Sequence, residues 1–283
     1  MTVSLSASPS STTREQLVDI LRDCHSVVVG YSGGVDSVFL ARLAVDVLGR
    51  DRVLAVTGLS AAVPRWGRET AREVAERFDI PWREIDTQEG SDPRYVSNPT
   101  NRCYFCKTEL WGRLSAVARE AGLRTVVDGA NADDALDHRP GGIAAREHGV
   151  RSPLLEAGLS KAGIRAWSRE LGLPTWDQPA APCLASRLPY GLSVTPERLA
   201  MVEAAEAGLR ALGMREFRIR HHGDVARIEI SSAERARLAD HAADAVRQVR
   251  SAGFATVLVD LDGYRRGALN EGLAADRLVR LGA

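Results

Sequence analysis

Residues 26–37 read Ser-Val-Val-Val-Gly-Tyr-Ser-Gly-Gly-Val-Asp-Ser. The run Val27-Val28-Val29 has the character of a buried strand. Val38, Leu40, Leu43, Ala44 and Val47 line the apolar side of the helix pattern that follows. Gly33 and Gly34 let the intervening turn tighten and let backbone approach a ligand closely. The first N–H groups of a helix lack internal partners and point at such a turn. With the positive end of the helix dipole they make an anion site. No Gly-Lys-Ser/Thr closes the run, so it is not a Walker A loop, and the third glycine of a dinucleotide fingerprint is missing.

The turn Ser32-Gly33-Gly34-Val35-Asp36-Ser37 resembles the pyrophosphate loop of the PP-loop ATPases, which cleave ATP between its α- and β-phosphates. The resemblance implies that Ser32, Gly33, Gly34, Val35 and Ser37 cradle phosphate and that Asp36 holds magnesium. Further along, strands are expected at 53–58, 82–86 and 124–128. Helices are expected at 35–48, 66–78, from Cys103 to Ala121, and at 161–171 behind the N-cap Ser160. Residues 88–102 read as a polar loop. This alternation predicts an α/β fold, a doubly wound parallel sheet covered on both faces. Ligands of such sheets gather at the carboxyl ends of the strands. Ser32, Thr57 and the Gly129-Asn131-Asp133 run all fall there, which adds Thr57 and Gly129 to the expected nucleotide site.

Beyond a proline-rich stretch ending near Ser193 the pattern changes. Thr195 and Pro196 read as an N-cap and first helical position, opening a helix to about Leu212. Strands at 216–221 and 225–231 flank the turn His222-Gly223-Asp224, followed by a helix over 232–251 and a strand at 254–261. The expected organisation is a mobile tail over 1–13, an ATP-pyrophosphatase domain over 14–190, and a smaller α+β domain over 191–283 for substrate or oligomerisation.

Length, 283 residues, suits two domains. Hydrophobic content of 45% and charged content of 26% are ordinary for a globular chain. Zero net charge and a pI near 7.0 argue against a nucleic-acid partner. No apolar run is long enough to span a membrane, and residues 1–13 lack the marks of a signal peptide. A cytoplasmic location is expected, where four cysteines read as metal-binding or catalytic rather than disulfide-bonded. Of 37 basic residues only Lys107 and Lys161 are lysines. Where arginine is the default, a surviving lysine marks a position arginine serves poorly, or chance.

Cys103-Tyr104-Phe105-Cys106 places two thiols at i and i+3 on a helix start, where the dipole acidifies them. Zinc, redox and chance all remain open for such a pair alone. Cys183 stands apart in Pro182-Cys183-Leu184-Ala185-Ser186-Arg187, a loop with little structural reason to hold a cysteine. Cys24 reads as an ordinary packed thiol.

In order, the chain carries SGGVDS, NRCYFCK (Asn101–Lys107), GANADD (Gly129–Asp134), PCLASRLPYG (Pro182–Gly191) and RHHGDVARIE (Arg220–Glu229). This arrangement closely resembles the LarE family of ATP-dependent sulfur transferases. That family makes the pyridinium bisthiocarboxylate mononucleotide that becomes a nickel-pincer cofactor. The resemblance implies ATP and magnesium as cofactors, a small mononucleotide substrate, and a homo-oligomer, and it leaves the sulfur donor open. Family members with three cysteines carry a four-iron–four-sulfur cluster, and those with one give up the cysteine's own sulfur. Cys103, Cys106 and Cys183 match the first kind, with sacrificial Cys183 as the alternative. The resemblance further implies Cys183, Ser186 and Arg187 beside the substrate, Arg218 and Arg220 on its phosphate, and Glu206 and Glu229 on a divalent ion. The rivals are an amidotransferase of the NAD or GMP synthetase kind, a PP-loop tRNA thiolase, and a metal-binding regulator with a relict nucleotide site.

Overall fold

A computed structural model describes residues 8–136, 139–180, 182–265 and 267–271. A four-stranded parallel sheet, β1 (Val27–Gly30), β2 (Val53–Leu59), β3 (Trp82–Asp86) and β4 (Thr125–Val127), has the order β3-β2-β1-β4. Its helices are α1 (Ser11–Cys24), α2 (Val35–Leu48), α3 (Arg65–Arg77), α4 (Pro93–Val96), α5 (Arg102–Glu120), α6 (Pro140–Glu147), α7 (Pro153–Glu156) and α8 (Lys161–Glu170). Side chains alternate across the sheet, as the two-residue strand period demands. Val27, Val29, Val53, Ala55 and Val127 face the core with α1, α2, α3 and α8; Val28, Val56 and Val126 face the core with α5 and α6. Both faces are covered, and the fold is the expected doubly wound α/β type. Chain order reverses between β1 and β4, so a ligand crevice opens where the 30–37 turn and Gly129 leave the sheet.

Several elements differ from the expectation. Helix α1 begins at Ser11, inside the stretch expected to be a mobile tail. Ser10 caps it, its hydroxyl accepting from Thr13 N at 3.1 Å. Leu17, Leu21 and Cys24 are buried in the core, and Arg14 pairs with Glu170 of α8 at 2.7 Å. That burial is what orders residues 8–13; residues 1–7 lie outside the described part. Within the polar 88–102 loop, Asp92 accepts from Arg94 N at 2.9 Å and Pro93 opens the single turn α4.

The second sheet contains β5 (Phe217–His222), β6 (Val225–Ile230) and β7 (Thr256–Val259), with β5–β6 antiparallel and β6–β7 parallel. Helix α9 (Pro196–Ala211) starts at the Thr195 cap. The single helix expected over 232–251 is instead a 3₁₀ turn followed by α10 (Arg235–Asp240) and α11 (Ala242–Ser251), parted at His241. Its core takes in Ala62, Tyr95, Leu184, Ala185 and Leu188 alongside Val202, Phe217, Ile219 and Ile228. The packing of this part therefore reaches back well before residue 191.

Arg187 and Glu206 join the two parts. They are 1% and 2% exposed, with Nε–Oε1 at 2.8 Å and Nη2–Oε2 at 3.1 Å. Removing one partner of a buried pair strands the other charge and costs about 3–5 kcal/mol. Arg187→Ala is expected to lower unfolding free energy by that amount in urea titrations, with Arg210, 3.4 Å from Glu206, offsetting part of it. A loss under about 1 kcal/mol would contradict this reading.

Candidate active site

The 32–37 turn is built from short hydroxyl contacts. Ser37 Oγ donates to Gly34 O at 3.2 Å and accepts from Ser32 N at 3.1 Å, and the two serine hydroxyls lie 3.1 Å apart. Gly33 has φ +74°, and a Cβ there would lie 2.6 Å from Gly67 O and 2.9 Å from Ala71 N of α3. Only glycine fits that backbone and that gap. Val35 is buried in the core and anchors the first turn of α2. Thr57 is also buried: its hydroxyl donates to Tyr31 O at 2.7 Å and accepts from Trp82 Nε1 at 2.9 Å. Thr57 thus shapes the loop from below, with its hydroxyl already committed. Gly129 closes the opposite wall; a Cβ on it would come 3.2 Å from both Asp36 Cβ and Ser37 N.

Asp36 sits on the first turn of α2 and pairs with Lys161, Nζ to Oδ2 at 2.6 Å. Its Oδ1 is buried and without a hydrogen-bond partner among the described residues. Burial pushes this carboxyl above the ordinary carboxylate range against the pull of Lys161. Lys161 opens α8, and its backbone N–H donates to Asp133 Oδ2 at 2.8 Å. Asp133 N in turn donates to Asn131 Oδ1 at 3.1 Å, so the 129–134 run positions the lysine.

The cysteines lie on two segments that arginine and asparagine side chains hold together. Cys103 and Cys106 occupy the start of α5. Arg102 beside them is buried and donates to Ala185 O at 3.0 Å and to Asn98 Oδ1. Asn98, with φ +54°, donates from Nδ2 to Pro189 O at 2.8 Å and Leu192 O at 2.7 Å. These bonds fix the start of α5 against the Cys183 loop. Burial pushes the Cys106 thiol up, and Cys183 and Cys103 act in the same direction. Cys103 is exposed, and Cys106 and Cys183 are half-buried. Among the described residues, no three His, Cys, Asp or Glu side chains are arranged to hold a metal ion. The three thiols share a region, not yet a coordination sphere.

Around Cys183, Arg187 donates to Pro182 O at 2.8 Å, Cys183 O at 3.2 Å and Ser186 Oγ at 2.9 Å, while Ser186 Oγ donates to Cys183 O at 2.8 Å. With its remaining donors on Glu206, Arg187 is fully engaged inside the protein and shapes the loop. Burial works to raise the Glu206 carboxyl, but Arg187, Arg218 and Arg210 hold it below the ordinary range. Glu229 meets Arg220 at 2.8 Å and Arg227 at 2.9 Å. Both carboxylates, expected at a divalent ion, lie against buried arginines as their counter-ions. Arg220 also donates to Ser186 O at 2.7 Å. Arg218 has no carboxylate partner among the described residues. It donates to Ala180 O and Phe217 O and stacks 4.8 Å from the Tyr264 ring centroid. Burial and the nearby Arg187 charge push it down to about 10. Arg218 lines a cavity of about 320 Å³ with Trp66, Gln178, Arg210 and Arg215.

Comparison with known proteins shows the family. The NAD synthase family model matches residues 13–97, the part that carries the phosphate turn. An uncharacterised protein of Synechocystis sp. is 42% identical over 90% of this chain and 96% of its own length. The pyridinium-3,5-bisthiocarboxylic acid mononucleotide synthase of Lactiplantibacillus plantarum is 38% identical over 95% of this chain and 97% of its own. The chain belongs to that synthase family, LarE. As a LarE member it is an ATP-dependent sulfur transferase of the PP-loop class. An ammonia-dependent NAD synthetase of Methanosarcina mazei is 29% identical over 57% of the chain.

Sequence reasoning alone assigned no role to Asn98, Arg102, Arg210, Arg215 or Trp66, whose partners are distant in the chain. Lys161 left a trace as one of two lysines among 37 bases. In this LarE protein Gly129→Ala would press a Cβ on the rigid start of α2. We expect turnover to fall about a hundredfold through misplacement of the phosphate turn. The circular dichroism spectrum should be unchanged, and wild-type turnover would refute the close approach.

Proposed function

We propose that this LarE protein adenylates the carboxylates of a pyridinium biscarboxylate mononucleotide and converts them to thiocarboxylates. The observation that carries the reading is the hydroxyl-lined phosphate turn with Asp36 at its rim, in a chain that aligns end to end with a synthase of that product. A carboxylate oxygen of the substrate attacks the α-phosphorus of ATP, the bond to the β-phosphate oxygen breaks, and pyrophosphate leaves into the Gly33-Gly34 cradle. A sulfur nucleophile then attacks the acyl carbon and the bond to the AMP oxygen breaks. The Oδ1 of Asp36, unpartnered among the described residues, fits a magnesium ligand, and an ion held there would supply positive charge to the phosphates. Ser32, Ser37 and the N–H groups of residues 33–37 hold the phosphates, with Thr57 and Gly129 shaping the walls.

Arg218 suits the substrate phosphate, being buried, charged and without a carboxylate. Arg210 and Arg215 extend the same cavity wall, and Arg220 holds Ser186 in place. The three thiols Cys103, Cys106 and Cys183 fit an iron–sulfur cluster by donor chemistry, since three thiolates leave one iron open. When bound, such a cluster supplies a removable sulfide. Cys103 is exposed on a helix start, and Cys106 and Cys183 are half-buried. A cytoplasmic, homo-oligomeric enzyme without nucleic-acid or membrane partners completes the reading; no helix among the described residues is long and apolar enough to cross a membrane.

Purified protein with magnesium-ATP and the biscarboxylate mononucleotide should release pyrophosphate, without orthophosphate. Cys103→Ala, Cys106→Ala and Cys183→Ala should each keep pyrophosphate release and lose both iron and sulfur transfer after anaerobic reconstitution. Orthophosphate as the product would sink the PP-loop chemistry. Sulfur transfer surviving in Cys103→Ala and Cys106→Ala, with Cys183 reduced to the mass of dehydroalanine, would replace the cluster by sacrificial Cys183.

A further inference from the structure

The contact between Lys161 and Asp36 links elements 125 positions apart in the chain, directly at the mouth of the phosphate turn. It neutralises the carboxylate. The pair is half-open, with side chains 28% and 24% exposed, so the ammonium is free to leave. The other carboxylate oxygen is buried and has no hydrogen-bond partner among the described residues. A divalent ion at that oxygen lies within a few ångströms of the ammonium, and like charges that close repel strongly. Lysine and magnesium therefore compete for Asp36. The displaced ammonium is a compact charge on a flexible stem with three donors, and Asp36, its partner, is itself part of the phosphate turn, an anion site. An arginine would grip the carboxylate with a planar fork and release it less readily. That accounts for a lysine here in a chain whose other bases are nearly all arginine.

We propose that Lys161 is a counter-ion switch: it holds Asp36 in the empty enzyme and passes to the ATP phosphates when magnesium takes the carboxylate. This rests on the pyrophosphate-loop reading above and adds a residue to it. The two roles have opposite signs, which a merely structural lysine would not produce. As holder of Asp36, Lys161 opposes magnesium. As a phosphate ligand, it favours nucleotide.

The test is calorimetric titration of the full-length protein with α,β-methylene-ATP over a series of magnesium chloride concentrations. For Lys161→Ala, the magnesium concentration giving half-maximal binding should fall several-fold. Nucleotide Kd at saturating magnesium should rise about tenfold, the size expected for loss of a charge-assisted contact. Lys161→Arg should move the magnesium midpoint above wild type, and thermal melts of both variants check folding. If wild type binds but neither variant moves the magnesium midpoint, or if Lys161→Ala weakens both quantities together, the switch is overturned and the loop reading stands. If wild type itself shows no magnesium-dependent binding, the loop reading fails and the switch with it.

Discussion

The buried guanidinium of Arg187 is the interaction on which the active end of the molecule depends. It meets both oxygens of Glu206 on α9 and three oxygens of the 182–186 segment, so one side chain ties the Cys183 loop to the smaller sheet. An isolated charge in that position would be prohibitive to bury; paired and saturated with acceptors, it becomes a rigid joint. Arg102 does the same from the other side, joining the start of α5 to Ala185. The loop that carries the single cysteine is thereby pinned between two arginines, and the helix that carries the cysteine pair is pinned to the loop.

A second constraint connects this region to the nucleotide turn. The segment after β2, which also sends Trp66 into the wall of the Arg218 cavity, touches both sites. Ala62 O accepts from Leu184 N at 2.8 Å, and Gly67 and Ala71 pack against Gly33. A shift in the segment entering α3 would therefore be felt at the phosphate turn and at the Cys183 loop together. The reaction needs such rigidity, because an acyl-adenylate formed on one side must meet sulfur on the other before water does.

The parallel sheet and the phosphate turn were legible in the sequence, because strand and helix periods and the paired glycines are local signals. The order β3-β2-β1-β4 was not, since alternation alone does not say which strands pair; it is the structure that brings Gly129 against Asp36 and Ser37. Helix α1 was missed: polar Ser-Thr composition at its start hid the Leu17–Leu21 stripe that docks on the core. The candidate site was legible as a residue list but not as a set of partnerships. Glu206 and Glu229 read as candidates for a divalent ion, and only the fold reveals the arginines that neutralise them. Thr57 fell at the right strand end but spends its hydroxyl on Tyr31 and Trp82. Long-range ion pairs such as Lys161–Asp36 leave no periodic signature at all, beyond the rarity of lysine itself.

The central claim is that ATP is attacked at its α-phosphorus by the carboxylate that later carries sulfur. Substrate labelled with heavy oxygen in its carboxylates tests this most directly, with mass spectrometry of the nucleotide product. The account predicts one heavy oxygen in each AMP and none in pyrophosphate, since the carboxylate oxygen leaves with AMP when sulfur displaces it. AMP bearing only ordinary oxygen, or label appearing in orthophosphate beside ADP, would contradict it.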